Sequence, residues 1–262
     1  MKKQRYLLGG ILILLALVCG GVGIRHLLKE RNAGQEYEEL REAVAEEPQP
    51  EEVTANEPAE ETEEEPPKVE IPIDFEALKE QNKDVYAWIR IPGTNVDYPI
   101  LQHEEDNGYY LNHTIDGVEA LEGSIYTENY NTKYFDDPNT VIYGHNMKNG
   151  SMFRTLHNYE DKTFFDENRV IYIYQPDRIL EYRIFAAYVY DNRHLLLNFD
   201  LEDPDMFQRY LDDVFNIRAA NAHIDSSMEL GTDDRILTLS TCNAGIETQR
   251  YLVQAVLISI SP

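Results

Sequence analysis

Cysteine is nearly absent: Cys19 and Cys242 are the only two in 262 residues. One sits in an apolar run near the N-terminus and the other close to the C-terminus, so count and position exclude a disulfide framework. Basic charge is also short, with 23 Lys and Arg against 48 Asp and Glu. Phosphate binding needs a basic footprint; none is visible, and nucleic acid is excluded as a partner. Of the seven histidines, His103, His113, His157, His194 and His223 show no metal-ligand spacing with each other or with a cysteine. No segment repeats along the chain.

Long apolar runs are limited to one, Leu7 to Ile24, behind Lys2, Lys3 and Arg5. As a helix it spans about 27 Å, enough for a bilayer core. The rival reading is a cleaved signal peptide. No small-x-small site follows the run, however; Arg25, His26 and Lys29 come next, and bulky Val18 before Cys19 argues against a lipoprotein signal. The expectation for 1–29 is a cytoplasmic stub and an uncleaved anchor. The slight basic excess on the N-terminal side favours N-in, with everything downstream outside the cell.

Residues 30–70 read as an acidic linker. From Gln35 to Glu70 there are fifteen Glu against Arg41 and Lys68, which puts −13 of the net −25 into that window. With Pro48, Pro50, Pro58, Pro66 and Pro67 and few apolar residues, it buries too little surface to offset its ordering entropy. Beyond a helical stretch over Gln35–Ala45 it is expected to be solvated, spanning about 35 Å or more. On this reading the acidity belongs to the spacer and not to the folded domain.

The remainder, 71–262, reads as mainly β. Asp74 caps a predicted helix with Phe75, Leu78, Val85 and Trp88 on one apolar side. Strands are predicted at Val96–Leu101, Gly123–Thr127, Thr140–Gly144, Arg169–Tyr174, Glu181–Tyr190, Arg235–Thr241 and Arg250–Ile260. The last is apolar on both faces, which predicts a central strand. A helix over Asp205–Ala219 carries Met206, Phe207, Tyr210, Leu211, Val214 and Phe215 in one stripe. Seven strands with few helices imply a closed barrel or a sandwich.

Three strand ends could carry chemistry. Val141-Ile142-Tyr143-Gly144-His145 ends in histidine, Leu237-Thr238-Leu239-Ser240-Thr241-Cys242 ends in cysteine, and Arg250-Tyr251 opens the last strand. Strand ends share a rim where loops shape a groove. A thiolate is a strong nucleophile, an imidazole gives and takes protons near neutral pH, and a guanidinium holds a carbonyl or developing oxyanion. Each alone has a plainer explanation: a core cysteine, a surface histidine, a strand-edge arginine. Their conjunction points to a Cys-His-Arg site, with no acidic third member in view.

These words resemble the sortase family, in particular its class B branch. The likeness runs from Asp74 to the C-terminus. It includes Trp88-Ile89, Ile91-Pro92-Gly93-Thr94-Asn95-Val96-Asp97-Tyr98-Pro99-Ile100, Asp106-Asn107, Tyr110-Leu111, Gly123-Ser124-Ile125-Tyr126, Tyr143-Gly144-His145, Met152-Phe153 and Leu239-Ser240-Thr241-Cys242 with Arg250 beyond. The resemblance implies a closed eight-stranded β-barrel with N-terminal helices and one helix between the sixth and seventh strands. It implies a cysteine transpeptidase needing no cofactor and no metal. Cys242 would attack a threonine carbonyl in a C-terminal sorting signal of a secreted protein, with His145 as proton carrier and Arg250 as clamp. The thioacyl-enzyme would then be resolved by an amino group of a peptidoglycan precursor or pilin. Asn107, Tyr143, Ser240 and Thr241 match groove-lining, substrate-binding positions.

Two departures stand out. The stretch Asn243–Gln249 is short for the branch, and Asn146 replaces a second histidine that some relatives carry. The competing readings are another cysteine acyl transferase or protease, which would release its product to water, and a non-catalytic wall-binding module, which would keep Cys242 buried and inert.

Overall fold

The computed structural model describes Tyr37, Leu40, Arg41, 70–243 and 245–262. The expected anchor and most of the linker lie outside the described residues, and among the described residues no helix is long and apolar enough to cross a membrane.

Helix α1, Phe75–Gln81, is capped by Asp74, whose carboxylate accepts from the amides of Glu76 and Ala77. It is shorter than predicted. Val85 and Trp88 belong instead to a strand, β1 (Val85–Arg90), buried along nearly its whole length. Their spacing from Phe75 and Leu78 mimics a helical stripe, but Asn82 ends the helix in an extended conformation. The run Val-Tyr-Ala-Trp-Ile then suits a pleated sheet better than a helix.

Seven further strands follow the predicted segments closely: β2 (Asp97–Leu101), β3 (Ile125–Thr127), β4 (Asn139–Tyr143), β5 (Val170–Gln175), β6 (Arg178–Asp191), β8 (Ile236–Cys242) and β9 (Gln249–Ser261); a two-residue β7 (His223–Ile224) was not predicted. Their order is β5-β1-β2-β3-β4-β8-β9-β6, and β5 pairs again with β6. That second pairing closes an eight-stranded barrel, with β7 added to β6 at Ala186 and Ala187, just past the stretch that pairs with β5. The sheet is mixed: β2–β3 and β4–β8 are parallel, the remaining pairs antiparallel. Closure leaves almost no open edge.

Helices α2 (Lys162–Glu167), α3 (Leu195–Asn198) and α4 (Pro204–Phe215) decorate the outside. Asp203 caps α4 with Pro204 at its first turn, and Phe207, Tyr210, Leu211 and Val214 lie buried against the barrel wall. This is the helix expected between the sixth strand and the next barrel strand. It explains why β9 is apolar on both faces: Tyr251, Val253 and Ala255 fill the barrel interior, while Leu252 and Val256 pack in the outer layer with α4. A buried polar chain stitches the layers together. Gln254 accepts from the Tyr188 hydroxyl and donates to Tyr210 and Thr238, and Thr238 donates to Asn139.

Two expectations change, one about charge and one about the spacer. Residues 71–262 hold 32 Asp and Glu against 15 Lys and Arg, so the folded domain is itself strongly acidic and the negative charge is not confined to the spacer. Three residues of the supposed spacer also pack on the domain. Tyr37 is buried, sets its ring edge-on to Tyr98 at 5.3 Å, and donates to the Gly123 carbonyl at 3.1 Å. Arg41 lies over the Tyr98 ring and donates to the Asp97 carbonyl at 2.7 Å.

Candidate active site

Register brings the three strand ends together. Parallel pairing sets Tyr143 of β4 beside Ser240 of β8, so both strands finish at the same rim. Antiparallel pairing of β8 with β9 makes Cys242 and Arg250 the last cross-strand pair. Tyr190, near the end of β6, pairs with Arg250 and carries the following segment to the same place. A cleft of about 240 Å³ opens there, and His145, Cys242 and Arg250 all line it.

Cys242 is exposed although the six residues before it in β8 are buried. That contradicts the core-cysteine reading and removes what a wall-binding module with an inert thiol would require. Arg250 is braced from behind: its Nη1 donates to the carbonyls of Glu247 and Gln249, each at 3.0 Å. The Nε2 of His145 lies 2.7 Å from the Leu111 carbonyl. A carbonyl only accepts, so Nε2 holds the hydrogen and Nδ1 is left for proton exchange.

Two glycines make this approach possible. A Cβ at Gly144 would stand 2.5 Å from Ile125 Cδ1 and 2.7 Å from the buried Phe153 ring, so only glycine fits between Tyr143 and His145. Gly123 has φ +55°, and a Cβ there would meet the Leu111 and Tyr110 carbonyl oxygens at 2.5 Å.

Of the predicted groove residues, Tyr143, Ser240 and Thr241 line the cleft and Asn107 does not. The Asn107 Oδ1 accepts from the Asn129 amide at 2.7 Å, so it braces the loop after β3. Burial, and next the Glu128 carboxylate, push the Tyr143 phenol far above its ordinary range; the same two causes raise Tyr126. Both phenols are therefore neutral at any working pH.

Leu111 and Tyr126 fall in stretches that match the family but were not predicted at the cleft, and Tyr190, His194 and Leu195 carried no site signal at all. His194 bridges two elements. Its Nε2 contacts Glu128 Oε2 at 2.6 Å, and its Nδ1 accepts from the Leu197 amide as the cap of α3. It comes three residues after β6, a position that becomes informative only once β6 is known to end at this rim.

Comparison with known proteins decides the family. The sortase domain model matches residues 89–258. Sortase B of Listeria monocytogenes is 36% identical over 184 residues, covering 70% of this chain and 73% of that protein. The chain belongs to the sortase family, in its class B branch. The crystal structure of Clostridium perfringens sortase B superposes with a TM-score of 0.61 at 29% identity, covering 71% of this chain and all of that one. A Staphylococcus aureus sortase B–substrate complex gives 0.61 at 31% identity, covering 71% and 84%. The closed barrel is thus the sortase barrel, and the enzyme is a sortase transpeptidase working through cysteine.

Proposed function

We propose that this sortase cuts a C-terminal sorting signal of secreted proteins after threonine and joins the new carboxyl end to an amino group of a cell-wall precursor or pilin. One observation carries the reading: Cys242, His145 and Arg250, distant in sequence, converge on one cleft at one barrel rim.

In the first half-reaction the Cys242 thiolate attacks the threonine carbonyl, and the developing oxyanion meets the Arg250 guanidinium. The C–N bond breaks as His145 gives a proton to the departing amine, leaving a thioester on Cys242. In the second, the acceptor amine attacks that thioester, His145 takes its proton, and the sulfur leaves as thiolate. A new amide replaces the old one, and no oxidant or cofactor is consumed. Tyr143, Ser240 and Thr241 shape the substrate groove, and Asn107 supports its rim through the Asn129 loop.

The run Leu7–Ile24 serves as a membrane anchor with the N-terminus inside and the catalytic domain outside, close to exported proteins and lipid-linked precursors. Incubating the protein with a sorting-signal peptide, with and without an added amine, tests the chemistry. Amine-dependent product that disappears in a folded Cys242→Ala variant is the expected result. Retained turnover in that variant, or hydrolysis alone whatever the amine, defeats the proposal.

A further inference from the structure

Asn146 directly follows His145, and its side chain reaches back to the nucleophile's own backbone. Its Nδ2 donates to the Cys242 carbonyl at 2.9 Å and stands 2.9 Å from Nε2 of His157. That Nε2 lies 3.1 Å from the same carbonyl. On the far side of the ring, Nδ1 is 2.7 Å from Glu160 Oε1. The His157 side chain is only 9% exposed, and its face stacks on Tyr251, the residue after Arg250, at 4.8 Å. Arg154 approaches from one side, its Nη1 donating to Asn146 Oδ1 at 3.5 Å, and His223 from another, its Nε2 2.8 Å from the Glu160 carbonyl. None of Asn146, His157 and Glu160 lines the cleft.

The hydrogens can be counted. A carboxamide has two on nitrogen and a neutral imidazole has one. With that one on Nδ1, facing Glu160, the His157 Nε2 accepts from Asn146, whose second hydrogen goes to the Cys242 carbonyl. With a hydrogen on Nε2 instead, that atom donates to the Cys242 carbonyl at 3.1 Å, so either placement ties His157 and Asn146 to the backbone of residue 242.

Its location gives it a task. Backbone hydrogen bonding between the two segments reaches the Gly144 amide, which donates to the Ser240 carbonyl at 3.2 Å. Beyond that point β4 has ended while β8 runs on beside β9 to Cys242, and among the described residues no further backbone bond ties residue 145 to residue 242. Accepting the reading of Cys242 and His145 as nucleophile and proton carrier, we propose that Asn146, His157 and Glu160 are positioning residues that set the spacing of those two. Proton exchange between sulfur and imidazole needs that spacing held to within about 1 Å, since a displacement of that size costs on the order of a hundredfold in rate.

The test reads the thiol and needs no knowledge of the sorting signal. Alkylation of Cys242 by iodoacetamide is followed in the full chain against pH, by mass spectrometry of its own peptide so that Cys19 is counted apart. Asn146→Ala and His157→Phe are expected to move the Cys242 pH profile onto that of His145→Ala, with a change of about tenfold in rate at neutral pH. His157→Gln, which keeps an amide at the ring position, is expected to restore most of the parental profile. In a His145→Ala background the same substitutions should add nothing. Should His157→Phe lose its cooperative melt, Asn146→Ala carries the test alone. Parental profiles in Asn146→Ala overturn the proposal, and so does an equal loss in the His145→Ala background, which means mere structural support. A profile that His145→Ala itself leaves unchanged overturns the Cys–His reading and this one with it.

Discussion

The imidazole of His145 is held by the carbonyl of Leu111, 34 residues earlier, at 2.7 Å. This one bond fixes the tautomer and ring plane of the proposed proton carrier from a segment outside the barrel strands. The carbonyl is itself set by a second contact, because Gly123 lets the backbone of Tyr110 and Leu111 pass at a distance no side chain tolerates. Tyr37 donates to that same Gly123, so a residue N-terminal to the domain bears on the chain that orients His145.

Gly123→Ala is therefore expected to damage activity beyond its effect on folding. A left-handed φ costs alanine about 1 kcal/mol, and the new methyl must push the Leu111 carbonyl away from His145. Turnover of a sorting-signal peptide should fall at least about tenfold while circular dichroism keeps its native shape. Unchanged turnover would show that His145 needs no help from Leu111.

Arg250→Lys is expected to behave almost as badly as Arg250→Ala. Two backbone carbonyls occupy Nη1 and hold the guanidinium plane, leaving its other donors for the substrate. Lysine offers a point charge without that fork. Loss of one oxyanion-directed donor set lowers kcat/KM by about 10²- to 10³-fold, with the melting temperature nearly unmoved. Full activity in Arg250→Lys would reduce the residue to a source of positive charge.

The barrel strands near the site were legible because each alternates or runs apolar between clear breaks. Leu237 and Leu239 point into the barrel while Ile236 and Thr238 serve the outer layer, and a reader of the sequence sees that period directly. β1 was not legible. Phe75, Leu78, Val85 and Trp88 satisfy a helical period by coincidence, and what separates them is the break at Asn82. The same contrast holds at the site. Cys242, His145 and Arg250 sit at strand ends, where topology leaves little freedom, so local words sufficed. Leu111 and His194 arrive from irregular segments whose course depends on tertiary contacts. Asn107 lies outside the cleft lining, and its side-chain oxygen accepts from the Asn129 amide in the loop after β3.

His194→Ala is expected to weaken substrate binding more than chemistry. The ring ties Glu128, the residue after β3, to the first turn of α3, and Leu195 of that helix lines the cleft. Removing the cap and the charged contact costs about 1–2 kcal/mol of local order. KM for a sorting-signal peptide should rise about fivefold or more with kcat within about twofold. A fall in kcat with KM unchanged would instead put His194 in the proton-transfer step.

Asp225 links stability to pH away from the cleft. It follows β7, donates its amide hydrogen to the Phe185 carbonyl, and accepts from Arg169 Nη2 at 2.7 Å. Arg169 in turn donates to the Ile184 carbonyl and lies over Phe165, so the pair pins α2 and β7 to β6. Burial alone would raise the Asp225 carboxyl, but hydrogen bonds from Ser227 and Arg169 outweigh it and hold the value down at about 2 against an ordinary 3.8. A depressed folded value means the stabilisation is complete above about pH 4 and is lost as pH falls through 4 toward 2. Asp225→Asn should lower stability at neutral pH by about 1–2 kcal/mol, the worth of partly screened charged hydrogen bonds. Its denaturation midpoint should converge on that of the parent as the solution is acidified toward pH 2. Chemical denaturation of both proteins at a series of pH values measures this, and a gap that stays constant into acid would mean the aspartate acts through packing and not through its charge.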